Sequence, residues 1–286
     1  MVNALDAAKR LRMDCVQVFT RNQRQWKAKP LAQNDREAWL AALTDLGWQS
    51  RRGAARTVSH ASYLINLASP DRALWRRSIA LHREELDRCE ALRIRLCVLH
   101  PGAHMGEPRS RPDELAGLRR VVNALDQVHR ELPGYHVKTC LETTAGPGTV
   151  LGGSFEHLAY IRGHVAEPKR VAWCLDTCHV TAAGYDMTTP RSADEVLARF
   201  NAVCGHRYLR VLHLNDSVGA VGSHRDRHAH IGFGACGLPC FRAVLNCPSL
   251  GLVPKIIETP KGHDEKGLPW DVRNIRRLKR LVRSRR

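Results

Sequence analysis

Six short apolar runs each end in a residue that can hold a metal ion. Arg56–Ser59 leads to His60, Leu96–Leu99 to His100, Val137–Leu141 to Glu142, Val171–Leu175 to Asp176, Leu209–Leu212 to His213 and Pro254–Ile257 to Glu258. Successive members stand 40, 42, 34, 37 and 45 positions apart. Three more residues of the same chemistry lie in loops beyond the runs: His179, three after Asp176, and the pair Asp226 and His228. Residues two apart in extended backbone point the same way, so that pair can reach one ion. Imidazole and carboxylate donors without cysteine suit a catalytic divalent cation, which keeps positions open for water and substrate. Nine donors are too many for one ion and, at about three each, serve three. Three divalent ions against four carboxylates leave a net positive site that attracts a phosphodiester. Clustered ions also stabilise both the attacking and the leaving oxygen of an in-line displacement. The set therefore points to metal-assisted phosphodiester hydrolysis, with Glu142 and Glu258 positioning metal and attacking water.

Each interval has the length of a βα unit, roughly 30 or more residues. In a (β/α)8 barrel the C-terminal ends of the strands converge on one face, where the active site sits. The expected fold is thus α/β, of the TIM (β/α)8 type. Strands are expected at about 15–19, 55–59, 95–99, 137–141, 171–175, 208–212 and 254–257. That is seven, and because the chain opens on a helical pattern over Val2–Met13, the strand that is missing is the first. Asn34-Asp35 and Ser69-Pro70 read as helix starts, Pro112 opens another helix, and Ser192 with Glu195 reads as a capping box. Asn215 to Gly237 reads as one long loop, and a basic amphipathic helix starts near Asp271. An open barrel leaves buried backbone groups at its two edges without partners, at about 1–3 kcal/mol each. Such a seven-stranded form is expected to be marginal or prone to aggregate.

The regular rhythm over 286 residues favours one domain spanning 1–286. Lys and Arg number 45 against 28 Asp and Glu, a formal charge of +17 that suits a polyanionic partner, nucleic acid first. The C-terminal run through Arg276, Arg277, Lys279, Arg280, Arg283, Arg285 and Arg286 supplies much of the excess and reads as a solvated face. Ten cysteines form no CxxC pair, several fall inside expected strands and helices, and no signal peptide or long apolar span occurs. Free thiols in a reducing cytoplasm, with no membrane partner, are the expectation.

The motifs HPGAH at 100–104, ETTAGPGT at 142–149, CLDTCHVTAAGYD at 174–186, HLNDS at 213–217, GSHRDRHAHIGFG at 222–234 and IIETP at 256–260 are similar to those of the endonuclease IV family. That resemblance runs from about Val2 to the last helix. It implies a xylose isomerase-like barrel and a zinc-dependent, monomeric repair enzyme that cuts double-stranded DNA 5′ to abasic sites, leaving a 3′-hydroxyl. It further implies that His60, His100 and Glu142 hold one zinc ion. Glu142 bridges to a second held by Asp176, His213 and Glu258, and His179, Asp226 and His228 hold the third. FTRNQRQW at 19–26 and SYLIN at 62–66 also match, which by the same resemblance assigns lesion contacts to Arg24, Tyr63 and Leu64. Three departures stand out: the absent first strand, Thr143 in place of the usual asparagine, and His224 where arginine is common. A sugar isomerase or epimerase on the same barrel would leave His179, Asp226 and His228 without a purpose. A non-catalytic DNA-binding homologue is the other alternative, motivated by the missing strand alone.

Overall fold

The structure, a computed structural model, describes residues 1–49 and 55–283; Arg285 and Arg286 lie outside them. Helix α1 (Val2–Leu11) leads into β1 (Val16–Val18), α2 (Gln33–Asp45) into β2 (Thr57–His60), and α3 (Arg72–Ala91) into β3 (Leu96–Leu99). The alternation continues with α4 (Arg111–Glu131), β4 (Lys138–Glu142), α5 (Phe155–His164), β5 (Val171–Asp176), α6 (Thr177–Ala182), α7 (Pro190–Val203) and β6 (Leu209–His213). A small hairpin, β7 (Asp216–Ser217) with β8 (His228–Ala229), precedes α8 (Gly237–Asn246), β9 (Lys255–Ile256) and α9 (Trp270–Leu281). The strands other than the hairpin form one parallel sheet in the order β1-β2-β3-β4-β5-β6-β9.

Two cores follow from the period-2 alternation of strands buried on both faces. Inside the barrel, Val58, Leu96, Val98, Cys140, Ala172, Cys174, Val211 and Ile256 pack together beneath the ligand residues. Outside it, a larger cluster fills the layer between sheet and helices, with Trp39, Phe155, Trp173, Phe200 and Phe241 wholly buried. All ten cysteines are free, and eight of them are buried.

The barrel has a seam. β1 and β9 lie at the two edges of the sheet, and side chains rather than backbone ladders cross between them, among them Cys15 Sγ, 3.6 Å from the Lys255 carbonyl. An apolar cleft of about 830 Å³ opens there, lined by Ala4, Ala8 and Leu11 of α1 and Ile275, Leu278 and Val282 at α9.

Several helix starts differ from the sequence expectation, each for a local reason. α2 begins at Gln33 after Ala32 with no side-chain cap; Asp35 sits in its first turn, where a carboxylate still faces the positive end of the helix. Asp71, not Ser69, caps α3, accepting from the Leu74 N–H at 2.8 Å, while the Ser69 hydroxyl is used by the Asp71 N–H. Thr189 caps α7 and exchanges hydrogen bonds with Ser192, because Pro190 supplies a first helical residue with no N–H to satisfy. Glu195, expected in that box, pairs instead with Arg191 one turn away at 2.8 Å. Helices α6 and α8 and the β7–β8 hairpin were not anticipated from the sequence.

Candidate metal centre

The strand register delivers the site. His60, Glu142, Asp176 and His213 are the last residues of β2, β4, β5 and β6; His100 follows β3 by one residue and Glu258 follows β9 by two. Cα pairing places Asp176 opposite His213. Asp176 also caps α6, its Oδ1 accepting the His179 N–H at 2.9 Å, which turns the His179 ring back over the barrel mouth. The β7–β8 hairpin then folds the long loop over the same mouth and brings Asp226 and His228 to His179.

Three groups of donor atoms without cysteine result among the described residues, each with its members within 4.8 Å of one another. They are His60, His100 and Glu142; Glu142, Asp176, His213 and Glu258; and His179, Asp226 and His228. Glu142 is shared by the first two. Glu142, Asp176 and His213 are fully buried, whereas Asp226 is exposed at the rim.

The hydrogen bonds behind the rings decide what can sit between them. His60 Nδ1 lies 2.8 Å from the Ala61 carbonyl, His179 Nδ1 2.8 Å from the Thr143 carbonyl and His228 Nδ1 3.3 Å from the Glu258 carbonyl. A carbonyl can only accept, so each of these nitrogens carries the proton and each Nε2 keeps its lone pair in the neutral ring. Those lone pairs face carboxylate oxygens. His60 Nε2 is 3.2 Å from Glu142 Oε2, His179 Nε2 is 3.1 Å from Asp226 Oδ1, and His228 Nε2 is 3.5 Å from Asp226 Oδ1. His100 Nε2 stands 2.9 Å from Glu142 Oε2. Two acceptors that face each other in a buried site need a cation between them. The buried Nε2 atoms of His179 and His228 have no hydrogen-bond partner at all. This donor set fits divalent metal ions.

The electrostatics point the same way. Burial disfavours the charged form of His179, yet Asp176, Asp226 and Glu142 outweigh it and hold its pKa well above the usual range. His213 is raised likewise against burial by Glu258 and Glu142, and His60 by Glu142. Burial pushes the Glu142 carboxyl up, but the rings of His213 and His100 prevail and hold it far below the ordinary value; Glu258 is lowered chiefly by His213. Without a metal the cluster thus retains protons between its acceptors, and a metal ion would displace them. Cys174 and Cys178 also stand within donor reach, but burial keeps both as thiols, Cys178 pushed up to about 12.

The xylose isomerase-like TIM barrel family model matches residues 5–281. A probable endonuclease 4 of Geobacter sulfurreducens is 43% identical over 270 residues, covering 94% of this chain and 86% of the relative. One from Chloroflexus aggregans is 42% identical over 271 residues, covering 95% and 90%. The chain belongs to the endonuclease IV family. Within it, the structure of endonuclease IV from Thermus thermophilus superposes with a TM-score of 0.81 at 31% identity, covering 98% of this chain and 93% of that one. A D-tagatose 3-epimerase-like protein, 18% identical with a TM-score of 0.66 over 94% and 88% of the two chains, shares the fold alone.

The family's loop residues are placed as follows. Tyr63 is exposed beside the centre, its ring 5.3 Å from that of His60 and 6.2 Å from that of His100. Leu64 is half-buried and packs on the core, so only part of it is open at the surface. Arg24 is exposed on a loop that Arg21 anchors through Glu84 and the Gln25 carbonyl, and Ser62 Oγ ties that loop to the Tyr63 loop at 2.7 Å from the Gln23 carbonyl.

Thr143 fills its position with two contacts: Oγ1 accepts the Asp176 N–H at 3.0 Å and its carbonyl holds His179. His224 is exposed and bonded to the Ala145 carbonyl at 2.8 Å. Asn215, read as a loop residue, instead orients two carboxylates, with Nδ2 2.6 Å from Asp176 Oδ2 and 3.3 Å from Glu258 Oε2. Asp216 ties the loop together, accepting the N–H groups of Ser217, Gly232 and Cys236. Gln17, which bonds both His213 and Glu258, is the contact that sequence reading missed. Its signal was a polar residue at an inward position of an apolar strand.

Proposed function

We propose that this chain is a metal-dependent DNA-repair endonuclease that hydrolyses the phosphodiester 5′ to an abasic site in double-stranded DNA and leaves a 3′-hydroxyl. The observation that carries this reading is the set of ring lone pairs aimed at carboxylates, arranged in three groups beside an exposed aromatic ring. Relatives named probable endonuclease 4, alignable over nearly the whole chain, support the same assignment. His60, His100 and Glu142 would hold one zinc ion, Glu142, Asp176, His213 and Glu258 a second, and His179, Asp226 and His228 a third. When bound, such ions offset charge that builds on the phosphate and make water acidic enough to attack near neutral pH.

The protein's own contribution is position. Carbonyls of Ala61, Thr143 and Glu258 hold the outer nitrogens of three rings, so that each ring offers Nε2 to an ion that displaces its inner proton, and Asn215 turns the carboxylates of Asp176 and Glu258 inward. Tyr63 and Leu64 would occupy the space an abasic nucleotide vacates on leaving the stack, and Arg24 would steady the strand beside it. Extrusion is cheapest where a base is already absent, so shape can select the lesion without reading sequence. The enzyme would act as a monomer in the cytoplasm, a reducing compartment that suits ten free cysteines. Among the described residues no helix is long and apolar enough to cross a membrane.

The deciding experiment is incision of a duplex carrying one abasic site, with zinc measured on the same sample. About three zinc ions per chain and a single nick 5′ to the lesion, abolished by a chelator and restored by zinc, are expected. Folded protein that carries one metal or fewer would break the three-ion cluster. Fully loaded protein that leaves the duplex intact would make the chain a binding homologue instead.

A further inference from the structure

Alternation along β1 sends Cys15, Gln17 and Phe19 to the barrel interior: Cys15 packs against the inner core and the Phe19 ring lies 5.8 Å from that of His60. Gln17 is the polar member of this row, and both ends of its amide are used. Its Nε2 donates to Glu258 Oε1 at 2.6 Å, and its Oε1 lies 2.8 Å from His213 Nε2. The reverse amide orientation would set its oxygen against the Glu258 carboxylate, acceptor to acceptor, so the orientation is settled by chemistry. The amide oxygen therefore accepts a hydrogen bond from His213 Nε2–H. Nδ1 is thus the nitrogen that faces the centre, 2.7 Å from Glu142 Oε1 and 3.1 Å from Glu258 Oε2, and in the neutral ring it offers its lone pair there.

His213 differs from His60, His179 and His228 in this respect. Their outer nitrogens are held by backbone carbonyls, whereas the outer nitrogen of His213 rests on a side chain from a strand 196 positions away. The same side chain orients Glu258 across the seam, where β1 and β9 share no ladder. We propose that Gln17 is a positioning residue of the metal centre, fixing the tautomer of His213 and the orientation of Glu258 through one amide that bridges the barrel seam. The proposal rests on the metal-centre reading and goes beyond it by assigning the support of two ligands to one replaceable side chain. Partners behind metal ligands typically govern 10–100-fold in metal affinity.

The test uses the full chain as wild type, Gln17→Leu and Gln17→Met. Zinc affinity is measured by competition with a chromophoric chelator, and the nitrogen through which His213 binds zinc by ring ¹⁵N shifts in zinc-loaded protein. The expected result is a 10–100-fold loss of affinity at one site of the wild-type set, with the remaining sites unchanged. In the loaded variants the His213 signals should pass from a single ligating nitrogen to a mixture of states, while the zinc-free melting temperature holds. Should Gln17→Leu fold poorly, Gln17→Met, which keeps the length of the side chain, decides. Wild-type zinc affinity at every site in a cooperatively folded variant overturns the proposal. So does failure of both variants to fold, since Gln17 would then be a structural residue of the seam. Wild-type protein that binds no zinc would instead overturn the metal centre, so the two failures are distinguishable.

Discussion

At the scale of single residues the site is a contest between burial and charge. Glu142 is fully buried and touches four histidines, which a carboxylate tolerates only when cations or protons surround it. Glu142→Gln and Glu258→Gln keep the volume but remove the charge that holds the cations. Incision should fall by about 10²–10³-fold or more in each, with binding to intact duplex retained, as steady-state nicking and gel-shift measurements would show. Near wild-type turnover in either variant would contradict the assignment. Tyr63 and Leu64 separate in another way. Tyr63→Ala should weaken binding to an abasic duplex by roughly tenfold, the scale of one lost stacking contact, and leave the melting temperature unchanged because the ring is exposed. Leu64→Ala should also lower the melting temperature, since the side chain packs partly on the core. Equal losses on abasic and intact duplex would remove both residues from lesion recognition.

At the scale of elements, the barrel depends on helices that bury polar groups against it. His82 on α3 is wholly buried, with Nε2 2.9 Å from the Thr139 hydroxyl on β4 and Nδ1 without a partner. Burial pushes its pKa down to about 3, and the His129 ring and the Arg170 guanidinium push in the same direction. A folded pKa below the unfolded one means that the unfolded chain binds the extra proton. The stability contribution is present above the ordinary value near 6.5 and is lost as pH falls from there towards 3. At pH 5 the loss is about 2 kcal/mol. Chemical denaturation of zinc-free protein at pH 7.5 and pH 5 should show His82→Leu losing about 2 kcal/mol less than wild type over that interval. Equal losses would mean that His82 gains a proton in the folded state.

At the scale of the whole molecule, charge and the seam set the behaviour in solution. A formal charge of +17 predicts duplex binding that falls steeply with salt, log affinity changing by about −0.9 per log unit of salt for each phosphate neutralised. Wild type and Glu142→Gln should share one slope, because the charge that attracts the duplex lies outside the ligands. Divergent slopes would place the metal centre in the binding step itself. Two unladdered strand edges beside an apolar cleft invite self-association. Leu252 lines that cleft and is 81% exposed, so Leu252→Glu should reduce concentration-dependent aggregation on light scattering without changing incision. Unchanged aggregation would clear the seam.

The convergence of the nine candidate donors was legible in the residues because each strand-end member follows an apolar run, and the lengths between runs match a repeating βα unit. Period and composition are local properties, and a barrel carries strand ends to one face whatever the helices do. Short elements were not legible. Helix α6 has six residues, too few to display a period, and forms because Asp176 caps it; the β7–β8 hairpin has two residues per strand. Helix caps shifted by two or three residues because neighbouring hydroxyls and carboxylates compete for the same N–H groups. What only the tertiary structure decided is the layer behind the ligands: Gln17 on His213, Asn215 on two carboxylates, and the Thr143 carbonyl on His179. Those contacts join residues 36 to 196 positions apart. A hydrogen bond is specified by distance and direction to a few tenths of an ångström, and nothing in the order of residues along a chain carries that information until the sheet has closed around them.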